Sequence, residues 1–268
     1  MTFTKSGIDA IKNKELLGAI KDKAQGMIKK NMFRTSKTAK EDLDAFGEAI
    51  KADLPAVIYV PGPLKTEESA TRKLNSDYDG DWYGLKDIAR CSLIVPTLDG
   101  VKTTVMGYIK SYWHPGKTWT ETTQDGKKIV HSYGYNVIDT KETKPSSNAC
   151  GYSGFTAFVR TSTGYPAEVQ INVPEILFAK MKPRSLRDII GARAYMALMM
   201  KFQVDGGLGH GLYEIWRERP ASPEGREAAE VSCEYYEYFR KPPNFHAREK
   251  LLPRLYRIRQ QQAHYFKQ

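Results

Sequence analysis

Apolar and polar positions alternate most sharply between residues 155 and 173. Val169, Ile171 and Val173 are separated by Glu168, Gln170 and Asn172, so a strand here has one apolar face and one face of carboxylate and amides. A second β-rich run, Phe155 to Thr161, precedes it, and Ser162, Thr163, Gly164, Tyr165 and Pro166 supply a turn between the two. The pair reads as a β-hairpin. Just upstream, Gly151-Tyr152 sets an aromatic ring off a tight turn beside the polar face.

Elsewhere the dominant period is helical. Ile8, Ile11, Leu17, Ile20, Ala24, Met27 and Ile28 predict an amphipathic helix over residues 8–28, and Thr38 with Glu41 has capping-box spacing for a second helix that Pro55 ends. Ala56 to Val60 reads as a short strand closed by Pro61-Gly62-Pro63, followed by a helix from Lys65 to Asp77. Ala89 to Val95 is a buried-strand candidate, and a helix is expected from Asp99 to Tyr112. Two strands, Lys117 to Thr123 and Ile129 to Ile138, flank the turn Gln124-Asp125-Gly126, with a polar loop from Lys141 to Cys150. Beyond Pro174 the pattern is helical: a break at Pro183 with Ser185 as cap, a glycine-rich turn at Gly206 to Gly211, and helices over 212–219, 224–238 and 245–266, with Pro253 as a kink in the last. Helices, then strands mixed with helices, then helices argue an α+β fold with one mixed sheet.

The 268 residues suffice for one sizeable domain, and 41% hydrophobic with 27% charged residues is the composition of a soluble globular protein. Charged residues interrupt the first twenty positions and no run reaches membrane-spanning length, so a cytoplasmic location and no membrane partner are expected. Three widely spaced cysteines and five histidines without ligand spacing argue against a disulfide framework or a histidine-built metal site. The formal charge of +10 points to a polyanionic partner or to a solvated basic surface. Much of the excess is local: from Arg240 to Lys267 eight basic residues face one acid, Glu249.

Three constellations carry possible chemistry. Lys65, Ser69 and Lys73 fall at i, i+4 and i+8 with Arg72 close by; such a stripe is either solvated surface or a polyphosphate cradle at a helix start. Asp87, before the strand of Ala89 to Val95, either caps a turn and pairs with Arg90 or joins Glu168 in holding a divalent cation. Tyr152 is either a packing residue or a platform for a nucleobase. The glycine-rich turn lacks the strand and the Lys-Ser or Lys-Thr of a P-loop.

Taken in order, GPLKTEESATRKL (62–74), LKDIARCSLIV (85–95), GYSGF (151–155) and EVQI (168–171) resemble the synthetase domain of the RelA/SpoT family of alarmone synthetases. The resemblance covers roughly residues 55 to 175. It implies a nucleotidyltransferase-like synthetase core at 56–175, helical extensions at 1–55 and 176–268, and a pyrophosphokinase that moves the β,γ-diphosphate of ATP to the 3′-hydroxyl of a purine nucleotide, with AMP released. Under it Lys65, Ser69, Arg72, Lys73 and Arg90 bind ATP, Asp87 and Glu168 hold Mg²⁺, and Glu168 also orients or deprotonates the acceptor hydroxyl. Tyr152, Gln170, Thr156, Lys141 and Lys144 fall to the acceptor. The chain departs from the family pattern at Pro63, where an arginine is usual, at Arg90, whose place a small residue usually takes, and at Thr156, where a histidine is expected. Acceptor contacts are therefore altered, which keeps both (p)ppGpp-type and (p)ppApp-type products open. With no His-Asp dipeptide, the family's hydrolase activity is not expected. Small toxic relatives make an antitoxin or immunity protein a possible partner, and the basic C-terminal helix keeps open a tRNA acceptor or a non-catalytic RNA-binding role.

Overall fold

The structure is a computed structural model that describes residues 5–113, 118–122, 128–132 and 136–266. The turn Gln124-Asp125-Gly126 lies outside them. A first helix, α1 (Lys5–Asp53), runs 49 residues without the expected break. Where an interruption was expected, Thr35 and Ser36 donate their hydroxyls to the carbonyls of Asn31 and Phe33, at 2.9 and 2.8 Å, and so bond back into the same helix. The continuous helix also bridges two apolar clusters. Ile28 and Met32 pack with Ala70, Leu74, Trp82, Leu85 and Ile88, whereas Ala39, Leu43, Phe46 and Ile50 enter the main core.

Strand β1 (Ile58–Pro61), helix α2 (Glu67–Asp77) and strand β2 (Arg90–Ile94) follow. The next helix is α3 (Leu98–Gly100), a π-turn (Val101–Val105) and α4 (Met106–Tyr112) in succession, so the single expected helix is locally widened. Strands β3 (Thr118–Thr122) and β4 (Lys128–Ser132) pair with each other in a separate two-stranded sheet, and β5 (Asn136–Thr143) begins a new strand. Two expectations are thereby corrected: the described parts of the run from Ile129 to Ile138 belong to two different sheets, and Lys141 lies in β5 and not in a loop. The predicted hairpin forms as β6 (Gly154–Arg160) and β7 (Pro166–Asn172).

The main sheet has the order β1-β2-β7-β6-β5, and it is mixed as expected: β2 and β7 are parallel and the other pairs antiparallel. Cys91, Leu93, Val169 and Ile171 are at most 1% exposed and form the face that packs on the core with Phe46 of α1 and Trp113 after α4. Their alternates, Arg90, Ser92, Glu168 and Gln170, populate the opposite face. Helices α5 (Pro174–Lys180), α6 (Pro183–Ile190), α7 (Ala192–Phe202), α8 (Gly209–Glu218), α9 (Pro223–Arg240) and α10 (Phe245–Gln261) complete the chain. Lys182, not Ser185, stands at the N-cap position of α6, because the fixed φ of Pro183 starts the helix three residues earlier. Gly209 and Gly211 belong to α8 and not to the glycine-rich turn. Among the described residues no helix is long and apolar enough to cross a membrane.

Two glycines permit the approaches on which the polar face depends. At Gly62 a β-carbon would strike the backbone carbonyl of Arg90, to which Gly62 donates its N–H at 3.1 Å. Gly151 has φ of +70° and a β-carbon there would stand 2.6 Å from the α-carbon of Cys233 in α9. Both backbone strain and a backbone clash therefore oppose a side chain at 151. Gly151→Ala is expected to destabilise the protein by roughly 2 kcal/mol or more, read as a lower urea midpoint with an unchanged slope; an unaltered midpoint would show that the turn is freer than this packing allows.

Candidate active site

The geometry starts from the register of the parallel pair. Arg90 stands opposite Glu168 and Ser92 opposite Gln170. On the far side of β7, Phe158 is opposite Glu168 and Thr156 opposite Gln170, and Asp139 and Lys141 continue those rows onto β5. One row across the sheet thus reads Arg90, Glu168, Phe158, Asp139 and the next reads Ser92, Gln170, Thr156, Lys141. Directly paired residues share a face, so predicted donor-side and acceptor-side residues line one surface. Gln170 donates its side-chain amide to Glu168 Oε1 at 3.2 Å.

Lys65 reaches this surface by a route that the i, i+4, i+8 spacing did not anticipate. It precedes α2, whose N-cap is Thr66, the hydroxyl of which accepts from the Ser69 N–H at 3.2 Å. The Lys65 backbone N–H donates instead to the Ile88 carbonyl at 2.9 Å, which ties the segment after β1 to the one before β2. Lys65 Nζ then lies 2.9 Å from Asp87 Oδ2, and Lys73 Nζ, from the second turn of α2, lies 2.8 Å from the same oxygen. Asp87 is therefore neither a turn cap nor a surface partner of Arg90. It is 5% exposed and clamped by two ammonium groups, while its other oxygen, Oδ1, is buried without a hydrogen-bond partner.

These contacts set the charges. Burial by itself pushes the Asp87 carboxyl up, but hydrogen bonds from Lys73 and Lys65 and their charges overcome it and hold the group below its ordinary value. The same bond to Asp87 outweighs burial at Lys73 and raises its pKa. Glu168 moves the other way: burial first, then the nearby Asp87 charge, raise its pKa against the opposing Gln170 bond and the charges of Lys73 and Arg90. Two carboxylates of opposite shift thus stand within electrostatic reach of each other, one locked in its anionic form and one disposed to take a proton.

Tyr152 stands beside that face as its sequence position suggested. Its hydroxyl accepts from the Asn172 side-chain amide at 2.9 Å, and its ring meets Tyr236 edge-on at 5.8 Å with Lys180 Nζ 4.6 Å from the ring centroid. Arg240 fixes the turn by donating to the Gly151 carbonyl at 2.7 Å. Ser69 is half-buried on α2, whereas Arg72 is exposed and lines a depression on the outer side of that helix with Glu67, Glu68, Thr71 and Asn75. Lys144 is exposed past the end of β5, its carbonyl accepting from Ser147. Neither residue is brought to the polar face.

Sequence reasoning passed over three residues here. Lys86 Nζ lies 5.0 Å from the Phe158 ring centroid and 4.0 Å from Asp139, so it covers the outer end of the Glu168 row; its position beside Asp87 was the available signal. Asn172 is the third polar residue of the alternation that opens on Glu168, and it anchors Tyr152. Arg240 carried no local signal, since it contacts Gly151 across 89 residues.

The donor set suits Mg²⁺. Asp87 and Glu168 offer hard oxygen ligands, and Asp87 Oδ1 has no competing hydrogen bond. Among the described residues no group of three or more His, Cys, Asp or Glu gathers, so further ligands would come from water or phosphate, as Mg²⁺ commonly takes them.

No family model matches the chain. A curated relative, the (p)ppApp synthetase toxin Tas1 of Pseudomonas aeruginosa (strain UCBPP-PA14), is 32% identical over 211 residues, which are 78% of this chain and 42% of the relative. The chain thus spans less than half the length of that protein. The crystal structure of the complex between the Type VI effector Tas1 and its immunity protein matches with a TM-score of 0.61 at 29% identity, over 81% of this chain and 97% of the solved one. The chain is thus similar in sequence to a (p)ppApp synthetase toxin and in fold to the Tas1 effector. Its mixed sheet with packed helices is the fold of that effector. A GTP pyrophosphokinase family protein from Streptococcus pneumoniae aligns more loosely, at 18% identity and a TM-score of 0.44 over 87% of this chain and 96% of that one, and nothing further rests on it.

The Asp87 clamp yields a stability prediction. A carboxyl held below its ordinary value of 3.8 stabilises the fold at pH above that value, and the contribution is lost as pH falls through the folded value. Asp87→Asn should cost roughly 3 kcal/mol at neutral pH, because Lys65 is left buried opposite a neutral group. The deficit should shrink as pH is lowered from about 5 toward 2. Urea unfolding at a series of pH values measures both; a deficit constant across that range would contradict the ion-pair account.

Proposed function

We propose that the chain is an ATP-dependent pyrophosphokinase, transferring the β,γ-diphosphate of ATP to the 3′-hydroxyl of a purine nucleotide and releasing AMP. The observation that carries this reading is that Glu168, a carboxylate of the polar sheet face with a raised pKa, lies within electrostatic reach of the anionic Asp87, which two lysines clamp. Attack of the acceptor 3′-oxygen on the β-phosphorus forms one P–O bond and breaks the bond to the α-phosphate oxygen, which leaves as AMP. The acceptor proton passes to Glu168, whose pKa in the nucleotide-free site burial and the Asp87 charge raise. Lys65 and Lys73, with Ser69 and Arg90, neutralise and align the triphosphate. Asp87 and Glu168 would hold Mg²⁺, which would supply further charge neutralisation at the phosphates. Tyr152, with Gln170, Thr156 and Lys141 in the adjoining row, forms the acceptor side.

Kinship with a (p)ppApp synthetase toxin supports adenine nucleotides as acceptors, in keeping with the departure at Thr156. It also supports a toxic role and an immunity protein as partner, as with Tas1. The C-terminal cationic track gives less support to tRNA. Arg254 pairs with Glu230 and Glu234, Arg257 with Glu227 and Arg259 with Asp205, so much of its charge is neutralised within the fold.

Purified protein incubated with ATP, Mg²⁺ and ADP, GDP, GTP or deacylated tRNA is expected to release AMP with the adenine acceptor foremost. Absence of AMP from every mixture would contradict the reading. Glu168→Gln should lower AMP formation by about 10³-fold with an unchanged melting temperature. In the parent, kcat/KM should fall on acidification with an apparent pKa above the ordinary carboxylate value, as burial and Asp87 require; a limb at or below that value would remove Glu168 from the role of base.

A further inference from the structure

We propose that Lys65 and Lys73 form a latch on Asp87, which holds the metal-binding carboxylate closed until the triphosphate of a nucleotide draws the lysines away, so that the divalent cation enters with or after the nucleotide. The proposal rests on the pyrophosphokinase reading for the identity of the nucleotide, and on the geometry of the clamp for everything else. Both ammonium groups converge on one oxygen, at 2.9 and 2.8 Å. A divalent cation approaching that carboxylate would stand within a few ångströms of two positive charges, in a pocket where Asp87 is 5% exposed and water screens little. With Arg90 added, three cations surround two carboxylates, so the nucleotide-free site carries a net positive charge and repels a further cation.

The same arrangement is poised to open. Asp87 Oδ1 is buried with no hydrogen-bond partner, a coordination position left unused by the latch. Lys73 has a side chain 30% exposed and reaches Asp87 from α2, so its ammonium can turn toward an incoming phosphate while its stem stays packed. Lys65 is 8% exposed and is held by its backbone bond to Ile88, so its ammonium pivots about a fixed stem. An ATP triphosphate offers up to four negative charges to those lysines, against the single charge of Asp87. As the lysines turn to it, Asp87 loses its counter-ions and regains its affinity for a divalent cation. A purely structural ion pair would keep the lysines on Asp87 throughout.

Two binding measurements without turnover test the latch. In the first, Mn²⁺ is titrated into nucleotide-free protein and the free ion is followed by electron paramagnetic resonance. The Lys65→Met/Lys73→Met variant should bind Mn²⁺ at least about tenfold more tightly than the parent, as expected when two like charges leave a poorly screened site. Adding Asp87→Asn should abolish the gain. The single variant Lys73→Met, which retains Lys65 on the carboxylate, should show a smaller gain in the same direction and serves if the double variant does not fold. In the second, ATP binding is measured calorimetrically in EDTA. Asp87→Asn, which frees both lysines, should bind metal-free ATP at least about threefold more tightly than the parent. Equal Mn²⁺ affinity in parent and lysine variants, or unchanged or weaker ATP binding by Asp87→Asn, overturns the latch. Failure of AMP formation would overturn the pyrophosphokinase reading and leave these results untouched.

Discussion

Strands β2 and β7 run parallel, with Arg90 opposite Glu168, and the polar face depends on that pairing. It extends past both ends of β2, for the Glu168 N–H donates to the Ala89 carbonyl at 3.0 Å and the Val95 N–H to the Asn172 carbonyl at 2.9 Å. Because the side-chain period of a strand is two, a slip of one residue would exchange Glu168 and Gln170 for Val169 and Ile171 and bury the carboxylate and amide in the core. The apolar face prevents this: Cys91, Leu93, Val169 and Ile171 are at most 1% exposed against α1 and its neighbours. Hydrophobic burial on one side of the sheet thereby fixes the alignment of charged groups on the other.

Asp87 turns that alignment into an electrostatic arrangement. A carboxylate buried before a core strand needs compensation, and two lysines supply it from separate elements, one from the extension of β1 and one from α2. Keeping Asp87 anionic has a consequence at Glu168, which feels that charge in addition to its own burial and holds its proton more readily. One clamp thus makes the two acids chemically unequal. On the proposed pyrophosphokinase reading, the raised acid takes the acceptor proton while the clamped one stays charged.

Local patterns in the sequence carried the hairpin, the strand before it and most of the C-terminal helices, because alternation and helical spacing are properties of short windows. Glu168, Gln170 and Asn172 were legible as one face for that reason. Contacts across long separations were not legible. The parallel pairing of β2 with β7, the Arg240 bond to Gly151 and the junction of Lys65 with Ile88 leave no periodic trace. Lys65 and Lys73 were read together on a helical stripe, yet they meet because Thr66 caps α2 and leaves Lys65 on the strand side. The unbroken α1 escaped notice since Thr38 and Glu41 have capping-box spacing, whereas Thr35 and Ser36 just before them bond backward within one helix. At Arg90, the family resemblance marked a departure; the register gives it a partner, Glu168, on the adjacent strand.

The central claim is that the clamped acid and the raised acid together move a diphosphate as one unit. ATP carrying distinguishable labels on its β- and γ-phosphates tests this most directly when it is given with the adenine acceptor. The account predicts a product bearing both labels in equal amounts and AMP bearing neither. A product with the γ-label alone, accompanied by ADP, would contradict it.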